Sequence, residues 1–153
     1  MIKILSRRER QEIENYLHEQ FGIENIPGTL IQKGEERIFI FTGSLSEGEI
    51  NKIRDAVFIE RIGIYFAKII ESDVKLSIEG TILLGEQIKK NVYELDANQV
   101  EPWMKGQDLD IKTGKKGFLI VKYKDDFLGC GKASEEKIGN FIPKSRRLKE
   151  KSG

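Results

Sequence analysis

The sequence predicts an α+β fold in two parts, an N-terminal α+β domain over residues 1–87 and a small β-barrel over residues 88–153. Two observations carry this reading, and a third bears on the partner. Helix-capping signals alternate with β-rich runs in the first half. After a polar stretch at residues 85–91, only short strands, turns and one short helix follow. The charge also changes sign along the chain, which suggests a polyanion partner for the basic part only, the other reading being a solubilising surface. Residues 1–111 hold 14 Lys/Arg against 20 Asp/Glu, a balance of −6, and residues 112–153 hold 12 against 5, a balance of +7, within a net charge of +1. A length of 153 residues with 39% hydrophobic content suffices for two small domains, each with a core.

Each element has a local cause. Ser6 followed by Glu9 has capping-box spacing, and Ile13, Tyr16, Leu17 and Phe21 recur at helical intervals up to Gly22, which predicts an amphipathic helix. Residues 30–32 and 37–42 are β-rich runs around Lys33 and Gly34, a hairpin pattern. A second capping box, Ser46 with Glu49, predicts a helix carrying Ile50, Ile53, Ala56 and Val57 on one side. Residues 63–70 and 74–78, separated by Glu71, Ser72 and Asp73, predict a second hairpin. In the second part, a short strand at residues 92–95 precedes a helix through "NQVEPWMKG", with Pro102 expected in its first turn and Trp103 and Met104 packing inward. The strand at residues 117–124, a turn at the Asp125–Asp126 pair and the strand at residues 127–133 form an antiparallel pair. Strands this short gain from closing into a barrel, which buries one face and removes free edges.

The same residues narrow the chemistry. No GxxxxGK[ST], GxGxxG or GxSxG pattern is present, so no standard phosphate loop, dinucleotide site or nucleophile elbow is expected. The single cysteine, Cys130, has no nearby base and reads as a small strand residue. The single histidine, His18, lies in the first helix without a carboxylate partner motif, and one Cys with one His leaves no zinc ligand set. The expectation is a chain with no enzyme activity of its own, no metal and no cofactor. No run approaches the about 20 apolar residues of a membrane span, and "MIKILSRRER" lacks the form of a secretory signal, which predicts a cytoplasmic protein with no membrane partner.

The most specific stretch is "FLGCGKASEEKIGNFIPKSRRLK". Gly129 and Gly131 leave one strand face bare, which fits either the close approach of another backbone or a bulge at a tight corner. Lys132 follows directly, and beyond Pro143 the cations Lys144, Arg146, Arg147 and Lys149 gather within six positions. Arginine's planar fork and lysine's point charge both suit phosphate, so these residues predict an anion-binding ridge. At least two of Lys144, Arg146 and Arg147 should share the side of Lys132, with little effect on folding.

This segment resembles the end of a PUA domain, an RNA-binding fold, and in particular the PUA segment of Nop/Sun-type RNA cytosine methyltransferases, through "LGCGKA", Asn140, Pro143, Lys144 and Arg146. Over nearly the whole chain, "GIYFAKIIESDVKLSI" and "VYELDANQVEPWMKGQDL" resemble two-domain ribosome-biogenesis factors that join an α+β domain to a PUA domain. The resemblance implies RNA binding through Lys132, Asn140, Lys144, Arg146 and Arg147. Nothing in the chain resembles a methyl-donor fold or the paired catalytic cysteines of those enzymes. It therefore implies an RNA-binding accessory protein in rRNA processing or RNA modification, with rRNA or tRNA as partner and a modification enzyme or assembly factors beside it. The other reading is a protein adaptor whose acidic N-terminal domain docks a partner.

Overall fold

The computed structural model describes residues 2–43 and 63–149. The helix predicted from Ser46 and Glu49 lies outside them. Chain contacts divide the molecule into two compact units, Met1–Ile88 and Lys89–Gly153, and the strands fall into two separate sheets.

The first unit holds a five-stranded antiparallel sheet in sequence order, β1 (Ile2–Ile4), β2 (Thr29–Lys33), β3 (Arg37–Phe41), β4 (Ile64–Ile70) and β5 (Asp73–Leu76). Helix α1 (Arg7–Phe21) starts at the expected capping box, with the Ser6 and Glu9 side chains each bonded to the other's backbone N–H, and ends at Gly22 with φ 77°. Only glycine enters that left-handed region at little cost, which fixes the stop. Ile13, Leu17 and Phe21, four residues apart, form its buried stripe. Gln20 both donates to and accepts from the Val74 backbone, tying α1 to β5. Alternation on β2 and β3 sends Leu30 and Ile40 to one face and Ile31 and Phe39 to the other, where they cluster with Ile2 and Phe41.

Two elements here differ from the expectation. β1 was too short to be read from sequence and exists through its pairing with β2. The strand expected at residues 74–78 ends at Leu76, because Ser77 caps a further helix, α2 (Ile78–Leu84), by accepting from the Gly80 N–H. A Cβ at Gly80 would fall 2.3 Å from the Phe66 carbonyl oxygen, so the bareness of this residue lets α2 rest on β4.

The second unit is ordered β6 (Val92–Glu94), β7 (Gly117–Tyr123), β8 (Asp126–Ala133) and β9 (Ile138–Asn140). β6 runs parallel to β7, and the connection between them carries α3 (Ala97–Met104). Asp96 and Gln99 form the capping box of α3, so the helix begins earlier than expected and Pro102 sits inside it rather than in its first turn, removing one backbone bond. The β7–β8 turn likewise falls one residue early, with Lys124 at φ 51° and Asp126 already paired with Tyr123. The expected closed barrel is not seen as a closed ladder. β6 and β9 are the two edges, and beyond β9 pairing continues as a single bridge between Leu109 and Ile138.

The core of this unit gathers Leu95, Trp103, Leu109, Leu119, Val121, Ala133, Ile138 and Ile142. Trp103 is fully buried, and its indole N–H donates to the Leu128 carbonyl at 2.8 Å, so its one polar group is satisfied. Among the described residues, no helix is long and apolar enough to cross a membrane.

Candidate nucleic-acid interface

The two glycines of β8 do different things. Gly129 has φ 101°, opposite a register shift between Ile120 and Lys122, so it serves a β-bulge. Gly131 is bare because the core approaches it. A Cβ there would lie 2.6 Å from Ile138 Cγ2, 2.9 Å from Trp103 Cη2 and 3.0 Å from the Gly139 oxygen. The close approach considered from sequence is thus internal, and the tryptophan of α3 fills the space. Cys130 between them is buried, as expected of a small strand residue.

Alternation turns Lys132 away from that core. Gly131 and Ala133 are buried on either side of it, whereas Lys132 is exposed and holds its ammonium 5.4 Å from the ring centroid of Phe118, its partner across the β7–β8 ladder. The Phe118 ring lies 5.9 Å from that of Phe141 at 56°, a tilted pair that joins β7 to the C-terminal segment.

Asn140 ends β9 with both amide hydrogens and its side-chain oxygen engaged. Its amide donates to the Trp103 oxygen at 2.8 Å and the Gln107 oxygen at 2.9 Å, and its oxygen accepts from the Ile142 N–H at 2.8 Å. Its backbone N–H donates to Asp108 Oδ1 at 2.8 Å, and the Lys137 ammonium bonds the other oxygen of that carboxylate at 3.0 Å. Both hydrogen bonds, the backbone one first, hold the Asp108 carboxyl below its ordinary value. This network closes the C-terminal end of α3, where helix carbonyls need outside partners.

The cations after Pro143 divide. Lys144 and Arg146 are exposed in a 3-10 turn, Lys144–Arg146, that starts from the fixed φ of the proline. Arg147 turns inward, contrary to the expectation that it contributes little to folding. It is half-buried, its Nε donates to the Ile142 oxygen at 2.8 Å, and it lies so close to Gly106 that a Cβ there would be 2.3 Å from Nε. The Leu148 N–H then bonds the Met104 oxygen at 2.8 Å. The segment is therefore anchored to α3 at Asn140 and again at Arg147 and Leu148, and the stretch between displays Lys144 and Arg146. Lys132 and Lys144 make no ion pair among the described residues. Five residues picked from sequence thus separate into three displayed cations and two anchors. Phe118 and Phe141 went unremarked, although the "NFIP" order, an aromatic between an anchoring asparagine and a proline, was there to be read.

Residues 90–148 match the family described as the methyltransferase RsmF PUA domain. The chain is similar to ribosomal RNA small subunit methyltransferase F of Psychromonas ingrahamii, with 28% identity over 141 residues, covering 91% of this chain and 29% of the relative. Identity to the protein of that name in Vibrio parahaemolyticus is 26% over 146 residues, covering 91% and 29%, and in Aeromonas salmonicida 26% over 141 residues, covering 92% and 28%. An alignment over nine-tenths of the chain takes in both units, while the chain spans less than a third of the length of these relatives. With the sheet, the capped crossover helix and the anchored basic segment all inside the matched span, residues 90–148 are a PUA domain of the kind that Sun-type RNA methyltransferases carry.

Proposed function

We propose that this chain is an RNA-binding module of ribosomal RNA modification, and hence of ribosome biogenesis, which holds RNA while a methyltransferase catalytic unit, in the same polypeptide or a separate one, supplies the chemistry. The observation that carries this reading is the coincidence of the PUA match at residues 90–148 with three displayed cations, Lys132, Lys144 and Arg146, on segments that the core and the α3 network hold in place. Lysine offers phosphate a point charge and arginine a fork of donors, and each phosphate neutralised releases counterions, so such a surface binds the backbone of many sequences. Asn140 and Arg147 belong to the site as positioning residues that fix the path of the basic turn. The fold reading goes with it, since the Leu109–Ile138 bridge beyond β9 supports a layer that wraps toward a small barrel. RNA crosslinked to the protein in cells and sequenced should be enriched in ribosomal RNA, and enrichment should fall when Lys132, Lys144 and Arg146 are together replaced by alanine. Recovery of no RNA, or of RNA indifferent to those replacements, would overturn the proposal.

A further inference from the structure

Phosphate contacts account for cations, but not for an exposed aromatic ring in the same C-terminal segment. Phe141 is 38% exposed, and its mounting is rigid. The residue before it, Asn140, is fixed by its side-chain bonds to the Trp103 and Gln107 oxygens, and the residue after it, Ile142, is buried with its N–H on the Asn140 oxygen. The ring itself leans on Phe118, which is 6% exposed and whose ring centroid lies 5.4 Å from the Lys132 ammonium. Lys132, Phe118 and Phe141 thus follow one another, and Lys144 and Arg146 come three and five residues after Phe141.

From this arrangement we infer that Phe141 is a stacking platform for one unpaired RNA base, with Lys132 and the basic turn on the flanking phosphates. The inference rests on the RNA-binding reading above and adds to it the class of RNA, single-stranded or looped. An apolar protein surface would have no use for cations that neighbour the ring along the chain and through Phe118, and a bare phosphate would have no use for the ring. A nucleotide whose base is unstacked uses both. A base inside a duplex keeps its faces covered by its neighbours and cannot reach the ring. A ring on a fixed backbone with one aromatic support also loses little freedom when a base lands on it.

The test uses the full 153-residue chain with a single-stranded oligoribonucleotide and a blunt RNA duplex of equal length at fixed salt. Phe141→Leu keeps apolar bulk and removes the aromatic face. It should lower single-strand affinity about tenfold and leave duplex affinity and the salt dependence unchanged, whereas Phe141→Tyr should bind as the native chain does. The denaturation midpoint followed by Trp103 fluorescence checks that each variant is folded. If the native chain binds RNA and Phe141→Leu binds the single strand equally well, or loses both RNAs alike, the stacking role falls and the RNA-binding reading stands. If the native chain shows no salt-dependent binding to either RNA, both fall together.

Discussion

Arg146 and Arg147 are neighbours with the same guanidinium, and the fold assigns them to opposite kinds of work. Arg146 stands exposed in the turn after Pro143, while Arg147 bends back to the Ile142 carbonyl and packs on Gly106 beside the end of α3. The same division separates Lys132, on the outer side of β8, from Asn140, whose amide closes the α3 terminus. A run of charge in sequence is therefore not one surface. What distinguishes its members is which of them bonds a backbone carbonyl, Asn140 at the α3 terminus and Arg147 at Ile142, and which stays exposed.

The largest test of this division is Asn140→Ala, which strips partners from the Trp103 and Gln107 carbonyls and the Ile142 N–H. It should cost about 2 kcal/mol in denaturant titrations followed by the fluorescence of Trp103, the single tryptophan of the chain, which reports on the second unit. Asn140→Asp keeps the acceptor but faces two carbonyls with a carboxylate, and should do no better. A stability unchanged by either would place Asn140 with the displayed residues instead. The next effect compares neighbours. Arg147→Ala should cost about 1 kcal/mol through its lost bond to the Ile142 oxygen, and Arg146→Ala should stay within about 0.5 kcal/mol. Equal losses would erase the distinction.

The smallest effect is in pH. The folded chain holds Asp108 below its ordinary value, so its contribution is fully present above about pH 4 and is lost as the pH falls through the lowered folded value. Over that acid range the native chain should lose stability faster than Asp108→Asn, as read from paired denaturation midpoints. The group is partly exposed, which keeps the difference small.

Much of the fold was legible because its signals were local. The Ser6–Glu9 box, the Gly22 stop and the β7–β8 pair, its turn expected one residue late at Asp125–Asp126, need nothing beyond a few neighbouring residues. β1 and α2 were missed because their causes are tertiary. Three residues become a strand only against β2, and Gly80 is tolerated in a helix only because Phe66 lies beneath it. Pro102 was placed too early because the Asp96–Gln99 box, which starts α3 five positions before it, was not recognised. In the candidate site, charge and residue type pointed to a segment whose Lys144 and Arg146 the fold leaves exposed. The roles of Asn140 and Arg147 could not be read, since their partners are carbonyls 5 to 37 positions away in sequence.

Backbone binding of RNA by the displayed cations of the PUA domain is the core of the proposed function. Its most direct measurement is the log–log slope of RNA affinity against salt for the native chain and for the Lys132→Ala, Lys144→Ala, Arg146→Ala triple variant, with single-stranded RNA. Three lost phosphate contacts at roughly 0.7 each should reduce the magnitude of the slope by about 2, and affinity should fall across unrelated sequences while the Trp103 denaturation midpoint holds. A folded triple variant with the native slope and affinity would contradict the claim.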